Sequence, residues 1–165
     1  MAADKSARRS VVVVGIDGGR ASVPAMRRAL DEARTTNGLV EMVTAWTAHD
    51  VADAASVWAA CREARRRAIS AQRAVLDACA DALDVPVTSV VVEGPAQDML
   101  VRAGRGAACV VLGRTSRGRS PILRTCSAEV DCPVVEAWPA GPAQVPRQRS
   151  RERSTAHRSS PVLRS

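Results

Sequence analysis

Aromatic residues are almost absent from this sequence. Its 165 residues include no Phe, no Tyr and three Trp, so 2% of the chain is aromatic. Proteins that bind single-stranded nucleic acid need aromatic faces on which bases stack, at about 1–3 kcal/mol per base, so the composition argues against that class. Hydrophobic residues make up 46% of the chain, and we expect one domain with a core of Val, Leu, Ile and Ala.

Motifs of common enzymes and nucleotide-binding folds are missing as well. The sequence has neither the GxGxxG of dinucleotide-binding folds nor the GxxxxGK[ST] of Walker-type ATPases. It has no GxSxG nucleophile elbow. Neither His49 nor His157 has a Ser/Asp arrangement that would make it a general base. We therefore expect a protein that is not an enzyme.

Nothing in the sequence indicates a secreted or membrane protein. The five Cys residues form no CxxC pair and have no nearby His to complete a zinc set. The first ten residues lack an apolar stretch of signal-peptide length, and no apolar run of 18 residues occurs. We predict a cytoplasmic protein with no metal site and no membrane span.

Positive charge is concentrated near the C-terminus. Of the formal net charge of +7, residues 139–165 contribute +5 through six Arg and one Glu. This segment also contains four of the nine Pro residues and has no apolar periodicity, which predicts a basic disordered tail. Such ends are usually solubilising, so binding of nucleic acid through the tail is the function that we expect least.

Apolar runs alternate with amphipathic segments along the rest of the chain. The predicted strands are residues 11–17, 39–46, 86–92, 107–112 and 132–138, and the predicted helices are residues 22–36, 56–83, 96–105 and 123–130. This alternation predicts an α/β fold with three layers, α/β/α, around a five-stranded parallel sheet. The domain would span residues 10–138, after a disordered N-terminus of residues 1–9.

In such sheets, ligands bind at the carboxyl ends of the strands. Asp17 ends the first strand beside two glycines, where its carboxylate can bind an adenine amino group or a ribose hydroxyl, or can simply cap the turn. After the fourth strand, a loop rich in Gly, Ser and Arg offers N–H groups, hydroxyls and charge to a phosphate. Runs rich in Arg and Ser are, however, more often solvated, mobile surface loops than phosphate sites.

Three stretches together resemble the universal stress protein family. They are VVVVGIDGGRAS, VVEGPAQDMLVRAGRGAACVVLGRTSRG and CPVVEAW, and the resemblance covers about residues 10–138. It implies a Rossmann-like sheet of the adenine nucleotide alpha hydrolase-like type and, in many members, a homodimer formed through the last strand. Some members of the family bind ATP and others bind no nucleotide.

The resemblance also implies a nucleotide site. Gly15, Ile16 and Asp17 match the family's adenine and ribose contacts, Val43 matches its apolar adenine contact, and Leu112 and Gly113 begin its phosphate run. The predicted site is completed by Arg114, Ser116, Gly118, Arg124 and Thr125.

The phosphate run departs from the family pattern Gly-x2-Gly-x9-Gly-Ser/Thr. Ser116 stands at the second glycine, the spacer has seven residues instead of nine, and Arg124 replaces the third glycine. Where the loop needs a positive φ, a residue other than Gly costs about 1–2 kcal/mol. Two hypotheses therefore stay open: a stress-response protein that binds ATP with Mg²⁺ and hydrolyses it at most slowly, or a dimeric interaction module that binds no nucleotide.

Overall fold

A computed structural model describes residues 9–48, 54–114 and 120–139. Residues 1–8 of the predicted disordered N-terminus (1–9) and residues 140–165 of the predicted basic tail (139–165) lie outside the described residues, as do His49 and His157. The strands are β1 (Val11–Gly15), β2 (Leu39–Trp46), β3 (Val87–Glu93), β4 (Cys109–Gly113) and β5 (Val134–Ala137), and the helices are α1 (Ser22–Thr35), α2 (Ala54–Ala78), α3 (Ala96–Gly104) and α4 (Pro121–Glu129).

The five strands form one parallel sheet in the order β3-β2-β1-β4-β5. The predicted α/β fold with a five-stranded parallel sheet is confirmed. β1 and β4 are neighbours at the centre, and the direction in which the chain adds strands reverses between them. The carboxyl ends of β1 and β4 therefore form the topological switch point, where open α/β sheets bind their ligands.

Successive residues of the central strands point to opposite faces, and both faces are buried. Val12 and Val14 contact the layer of α1 and α2, whereas Val13 contacts the layer of α3 and α4. This explains why β1 is continuously apolar instead of alternating, as a strand buried on both faces requires. α1 packs through buried residues at helical spacing: Ala25, Met26, Ala29, Leu30 and Ala33.

The second helix is shorter than predicted. Residues 56–83 were expected to form one helix, but α2 ends at Ala78 and a 3-10 turn, Ala80–Ala82, follows. Two arginines of α1 reach this end: Arg27 donates to the Ala78 carbonyl at 3.2 Å, and Arg34 donates to the Ala82 carbonyl at 2.7 Å. These side chains replace the backbone donors that a continued helix would supply.

The outer parts of the second crossover are also less buried than its apolar spacing predicts. Val57 and Leu83 are 37% and 39% exposed, whereas Ala68, Val75 and Cys79 between them are buried. The buried residues of α2 with defined side chains therefore lie in the middle and towards the end of the helix. No helix in the described ranges combines the length and the apolar character needed to cross a membrane.

Candidate functional site

A cavity of about 180 Å³ lies at the switch point and is called here the β1–β4 cavity. It is lined by Gly15, Ile16, Asp17, Gly19, Ala21, Ser22, Val43, Ala45, Ala96, Leu100, Leu112, Gly113, Arg114, Ser120, Ile122 and Leu123. The lining combines residues that end β1 and β4 with residues of β2, α3 and α4. Most of its side chains are aliphatic, and Asp17 is the one carboxylate among them.

The Asp17 side chain organises the turn between β1 and α1. Its Oδ1 accepts a hydrogen bond from the Gly19 N–H at 2.7 Å and another from the Ser22 hydroxyl at 2.9 Å. The Ser22 Oγ accepts in turn from the Gly18 N–H at 3.1 Å, and Gly18 adopts a positive φ of 78° that favours glycine. Asp17 thus takes the capping role that its Asp-Gly setting allows.

Capping uses only one oxygen of the Asp17 carboxylate. Within the described residues, Oδ2 accepts no hydrogen bond, and the side chain is exposed at the rim of the β1–β4 cavity. An ionised carboxylate has acceptor capacity on both oxygens. The same group can therefore hold the turn with Oδ1 and bind a ligand's N–H or O–H with Oδ2.

β4 and the turn before α1 approach each other so closely that only glycine fits at position 113. A Cβ on Gly113 would lie 2.6 Å from the Ala21 Cβ and 2.9 Å from the Ala21 carbonyl oxygen. The contact involves backbone, so it cannot be relieved by a side-chain rotation. Gly113 and Ala21 form one wall of the β1–β4 cavity.

The first turn of α4 also lines the cavity, through Ser120, Ile122 and Leu123. Ser120 caps the helix, because its Oγ accepts from the Leu123 N–H at 3.2 Å. Pro121 is the first helical residue and has no N–H to offer. Since the Arg124 N–H donates to the Ser120 carbonyl, Ile122 is the first-turn residue whose N–H these contacts leave available.

Arg114 follows β4 and joins the cavity wall to β5. Its Nη1 lies 2.6 Å from Glu136 Oε2, and its guanidinium carbon lies 4.2 Å from the centre of the Trp138 ring. Both charged side chains are about three-quarters buried, so solvent screens this pair less than the other ion pairs of the described residues. The other pairs lie more openly on the helices.

The structure brings seven of the predicted site residues together. Gly15, Ile16, Asp17, Val43, Leu112, Gly113 and Arg114 all line the β1–β4 cavity. Arg124 is exposed and Thr125 is half-buried on α4, and neither is among the lining residues. Ser116 and Gly118 lie outside the described residues. Whether any of these residues binds a nucleotide stays a prediction.

Several lining residues carry no sequence signal strong enough to identify them. Leu100 and Leu123 read from their spacing as ordinary core positions of α3 and α4, yet both also face the cavity. Ser22 reads as a helix start, although its hydroxyl is buried against Asp17. Ser120 before Pro121 is the one recognisable signal, a capping residue followed by proline.

Three of the five cysteines, Cys79, Cys109 and Cys126, are buried core residues, whereas Cys61 and Cys132 are half-buried. Burial raises the pKa of the Cys109 thiol to about 11, and burial likewise raises the pKa values of Cys79 and Cys126. A thiol that stays protonated is a poor nucleophile and metal ligand. Across the part of the chain that the structure describes, no three His, Cys, Asp or Glu residues are grouped to hold a metal ion.

Comparisons with known proteins give a consistent result. The family model for the universal stress protein family matches residues 9–137. The structure resembles the universal stress protein UspA from Lactobacillus plantarum, with a TM-score of 0.65 and 16% identity, covering 79% of this chain and 99% of that one. No curated protein matches the sequence.

Two further similar structures were solved with nucleotides. A universal stress protein family protein from Arabidopsis thaliana, with AMP bound, has a TM-score of 0.57 and 13% identity, covering 82% of this chain and 97% of that one. The universal stress protein from Archaeoglobus fulgidus in complex with dAMP has a TM-score of 0.52 and 17% identity, covering 79% and 98%. At these identities the likeness shows the fold.

Proposed function

Because this chain belongs to the universal stress protein family, we propose that it is a stress-response protein whose β1–β4 cavity binds an adenine nucleotide. One observation carries the proposal: the cavity at the switch point pairs an aliphatic wall with the unused Oδ2 of Asp17. An apolar cavity with a few convergent polar groups is the usual form of a small-molecule site. The AMP and dAMP in two similar structures support the choice of ligand.

The adenine and ribose would occupy the enclosed part of the cavity. Val43 and Leu112 are buried in its wall and offer aliphatic contacts to a base. Asp17 would accept a hydrogen bond from the adenine amino group or a ribose hydroxyl. A volume of about 180 Å³ is below the range of about 300–1,000 Å³ usual for drug-sized ligands, so the phosphates would lie at the open rim.

The phosphates would meet the remnant of the family's glycine-rich loop. Gly113, Arg114 and the first turn of α4 line the cavity, and the predicted contacts Ser116, Gly118, Arg124 and Thr125 belong to the same stretch of sequence. ATP would bring Mg²⁺ with its phosphates, because Mg²⁺ is usually held through phosphate oxygens and few protein carboxylates. The weaker the phosphate contacts, the smaller the advantage of ATP over AMP.

We propose binding and not catalysis. Among the described residues that line the β1–β4 cavity there is no His or Cys, and the one carboxylate, Asp17, already accepts two hydrogen bonds from the β1–α1 turn. General acid–base catalysis needs a group that is free to take or give a proton at the reacting atom. Hydrolysis of ATP would accordingly be slow and incidental.

Titration calorimetry with AMP and with ATP plus Mg²⁺ tests this proposal on the full chain. Asp17→Asn should lower the affinity for both about tenfold or more, since a hydrogen bond to a charged acceptor contributes about 1.5–3 kcal/mol. The Asn carbonyl oxygen can still cap the turn, so the fold is preserved. Asp77→Asn on the exposed face of α2 removes the same charge far from the cavity and should change nothing.

Two results would count against the proposal. No heat with either nucleotide at high micromolar protein would remove it, and equal affinities of the Asp17 and Asp77 variants would show that Asp17 is not a ligand contact.

The second candidate is a dimeric interaction module of the same fold, and the edge of the sheet favours it. β5 is a terminal strand that pairs only with β4 in the described sheet. Because Pro133 and Ala137 direct their carbonyls to β4, the backbone N–H and C=O of Val134 point away from β4, towards the outer edge of the sheet. Trp138 beside it is 54% exposed.

Analytical ultracentrifugation tests this candidate. Val134→Pro removes an outward N–H and should shift a dimer towards monomer, whereas Ser89→Pro on the opposite edge strand β3 should not. A monomeric wild-type chain would exclude pairing through β5.

A further inference from the structure

Arg114 is held by three consecutive residues at the end of β5. Its N–H donates to the Ala137 carbonyl at 2.7 Å, its Nη1 lies 2.6 Å from the Glu136 carboxylate, and its guanidinium stacks on Trp138. The same residue lines the β1–β4 cavity. One residue therefore lies both in the lining of the cavity and at the end of the edge strand of the sheet.

The guanidinium has donors to spare. An arginine carries five N–H donors in a planar fork, and the structure gives one of its Nη atoms to Glu136. Its Nε is buried and has no acceptor among the described residues. The fork of arginine matches the oxygens of a carboxylate or a phosphate, and it can bind either in a bidentate manner.

The Glu136 carboxylate binds the Arg114 guanidinium in the way that a phosphate of a ligand would. Both are anions with oxygens spaced to fit the fork, and the pair is about three-quarters buried. A ligand phosphate at the rim would have to share the guanidinium with Glu136 or displace it. An internal carboxylate of this kind lowers the affinity for the ligand anion with which it competes.

We infer that Arg114 makes the β1–β4 cavity selective for a nucleotide over the matching nucleoside, and that Glu136 limits this selectivity by competing for the guanidinium. The inference rests on the proposed function, because it concerns the phosphate of the ligand proposed there. Trp138 reports the competition, because movement of the guanidinium towards a phosphate changes the stacking on its ring.

Calorimetry of the full chain with AMP and with adenosine measures the contribution of the phosphate to the affinity, because the two compounds differ only in that group. Arg114→Met should weaken AMP binding about tenfold or more, from the loss of a charge-assisted hydrogen bond, and leave adenosine binding unchanged. Glu136→Gln should strengthen AMP binding severalfold and also leave adenosine unchanged.

Matched variants distinguish the effect of Arg114 and Glu136 at the cavity from the effect of a change in the net charge of the protein. Arg102→Met, exposed in the last turn of α3, and Glu93→Gln, exposed at the end of β3, change the charge by the same amounts. Each should leave the ratio of AMP to adenosine affinity within about twofold of the wild type, because exposed charges at a distance are screened.

Tryptophan fluorescence gives a second readout. In a chain carrying Trp46→Phe and Trp58→Phe, Trp138 is the remaining Trp. AMP should shift its emission, whereas adenosine at saturation should not. The Arg114→Met substitution in the same chain should abolish the shift.

The outcomes distinguish the two proposals. If AMP binds and neither Arg114→Met nor Glu136→Gln changes the ratio of AMP to adenosine affinity, the inference is overturned and the proposed function stands. If neither compound binds the wild type, the proposed function fails and the inference fails with it. Should Arg114→Met not fold, the near-isosteric Glu136→Gln decides alone, and unchanged AMP affinity in that variant overturns the inference.

Discussion

Substitution of Gly113 by Ala gives the sharpest test of how the cavity wall is built. The new Cβ would lie 2.6 Å from the Ala21 Cβ, 2.9 Å from its carbonyl oxygen and 3.1 Å from its carbonyl carbon. Two of these three atoms are backbone, so the β1–α1 turn or the end of β4 must move. Extra volume in a packed region typically costs about 1–3 kcal/mol.

Gly106→Ala is the matched control. Gly106 has a φ of 75° and nothing within 4 Å of its built Cβ, so the same substitution there adds backbone strain without a clash. That strain costs about 1 kcal/mol. Gly113→Ala should lower the free energy of unfolding by more than Gly106→Ala does, although Gly113 does not adopt a positive φ.

Urea unfolding of the full chain measures both variants. With a slope of about 2 kcal/mol per M, a loss of about 2 kcal/mol lowers the midpoint by about 1 M. Adding Ala21→Gly should restore part of the loss, because it removes the shortest contact and leaves the two to the carbonyl group. A Gly113→Ala chain as stable as the wild type, or a double variant with strictly additive losses, would refute the close approach.

Three further predictions concern the core. Gln72→Met should lower the free energy of unfolding by about 1–2 kcal/mol, because the buried Gln72 amide donates to the carbonyls of Met42 and Val90 at 3.2 and 2.9 Å. Gln97→Met, at an exposed position, is the control. Equal urea midpoints for the two variants would contradict the prediction. The free energy of unfolding should fall as the pH rises from about 9 to 11, since burial raises the pKa of the folded Cys109 thiol to about 11 and only the unfolded thiol ionises in that window. Cys109→Ala should make the free energy of unfolding less dependent on pH between 9 and 11, and an unchanged pH dependence would contradict this prediction. A thiol reagent at pH 8 should modify the half-buried Cys61 first and the buried Cys79, Cys109 and Cys126 only after unfolding; simultaneous loss of all thiols from the native chain would disprove this order.

Much of the fold could be predicted because β1, β2 and β4 are governed by local pattern. The run from Val11 to Val14 is continuously apolar and β-branched, and β2 was placed at its observed bounds. Asn37 and Gly38 mark the end of α1, and Asn37 does adopt a positive φ of 47°. These signals act within a few residues, so they can be read without knowledge of the tertiary structure.

The end of α2 and the cavity wall could not be predicted, because they depend on contacts between distant residues. Arg27 and Arg34 reach the end of α2 across 48 or more positions in the chain. Arg114 meets Glu136 across 22 positions, and nothing around either residue marks the pair. The approach of Gly113 to Ala21 is likewise set by how β4 and the β1–α1 turn pack.

The two helical layers differ in how much of the core they hold. Counted over the described ranges, the cluster on the side of α1 and α2 contains fifteen buried residues, whereas that on the side of α3 and α4 contains eight. α3 and α4 have nine residues each, fewer than an isolated helix needs for stability in water. This side should therefore open locally at a lower free energy than the whole domain, and its amide hydrogens should exchange first. Since α3 and α4 both line the β1–β4 cavity, a ligand bound there would stabilise this side of the domain and slow amide exchange in these two helices.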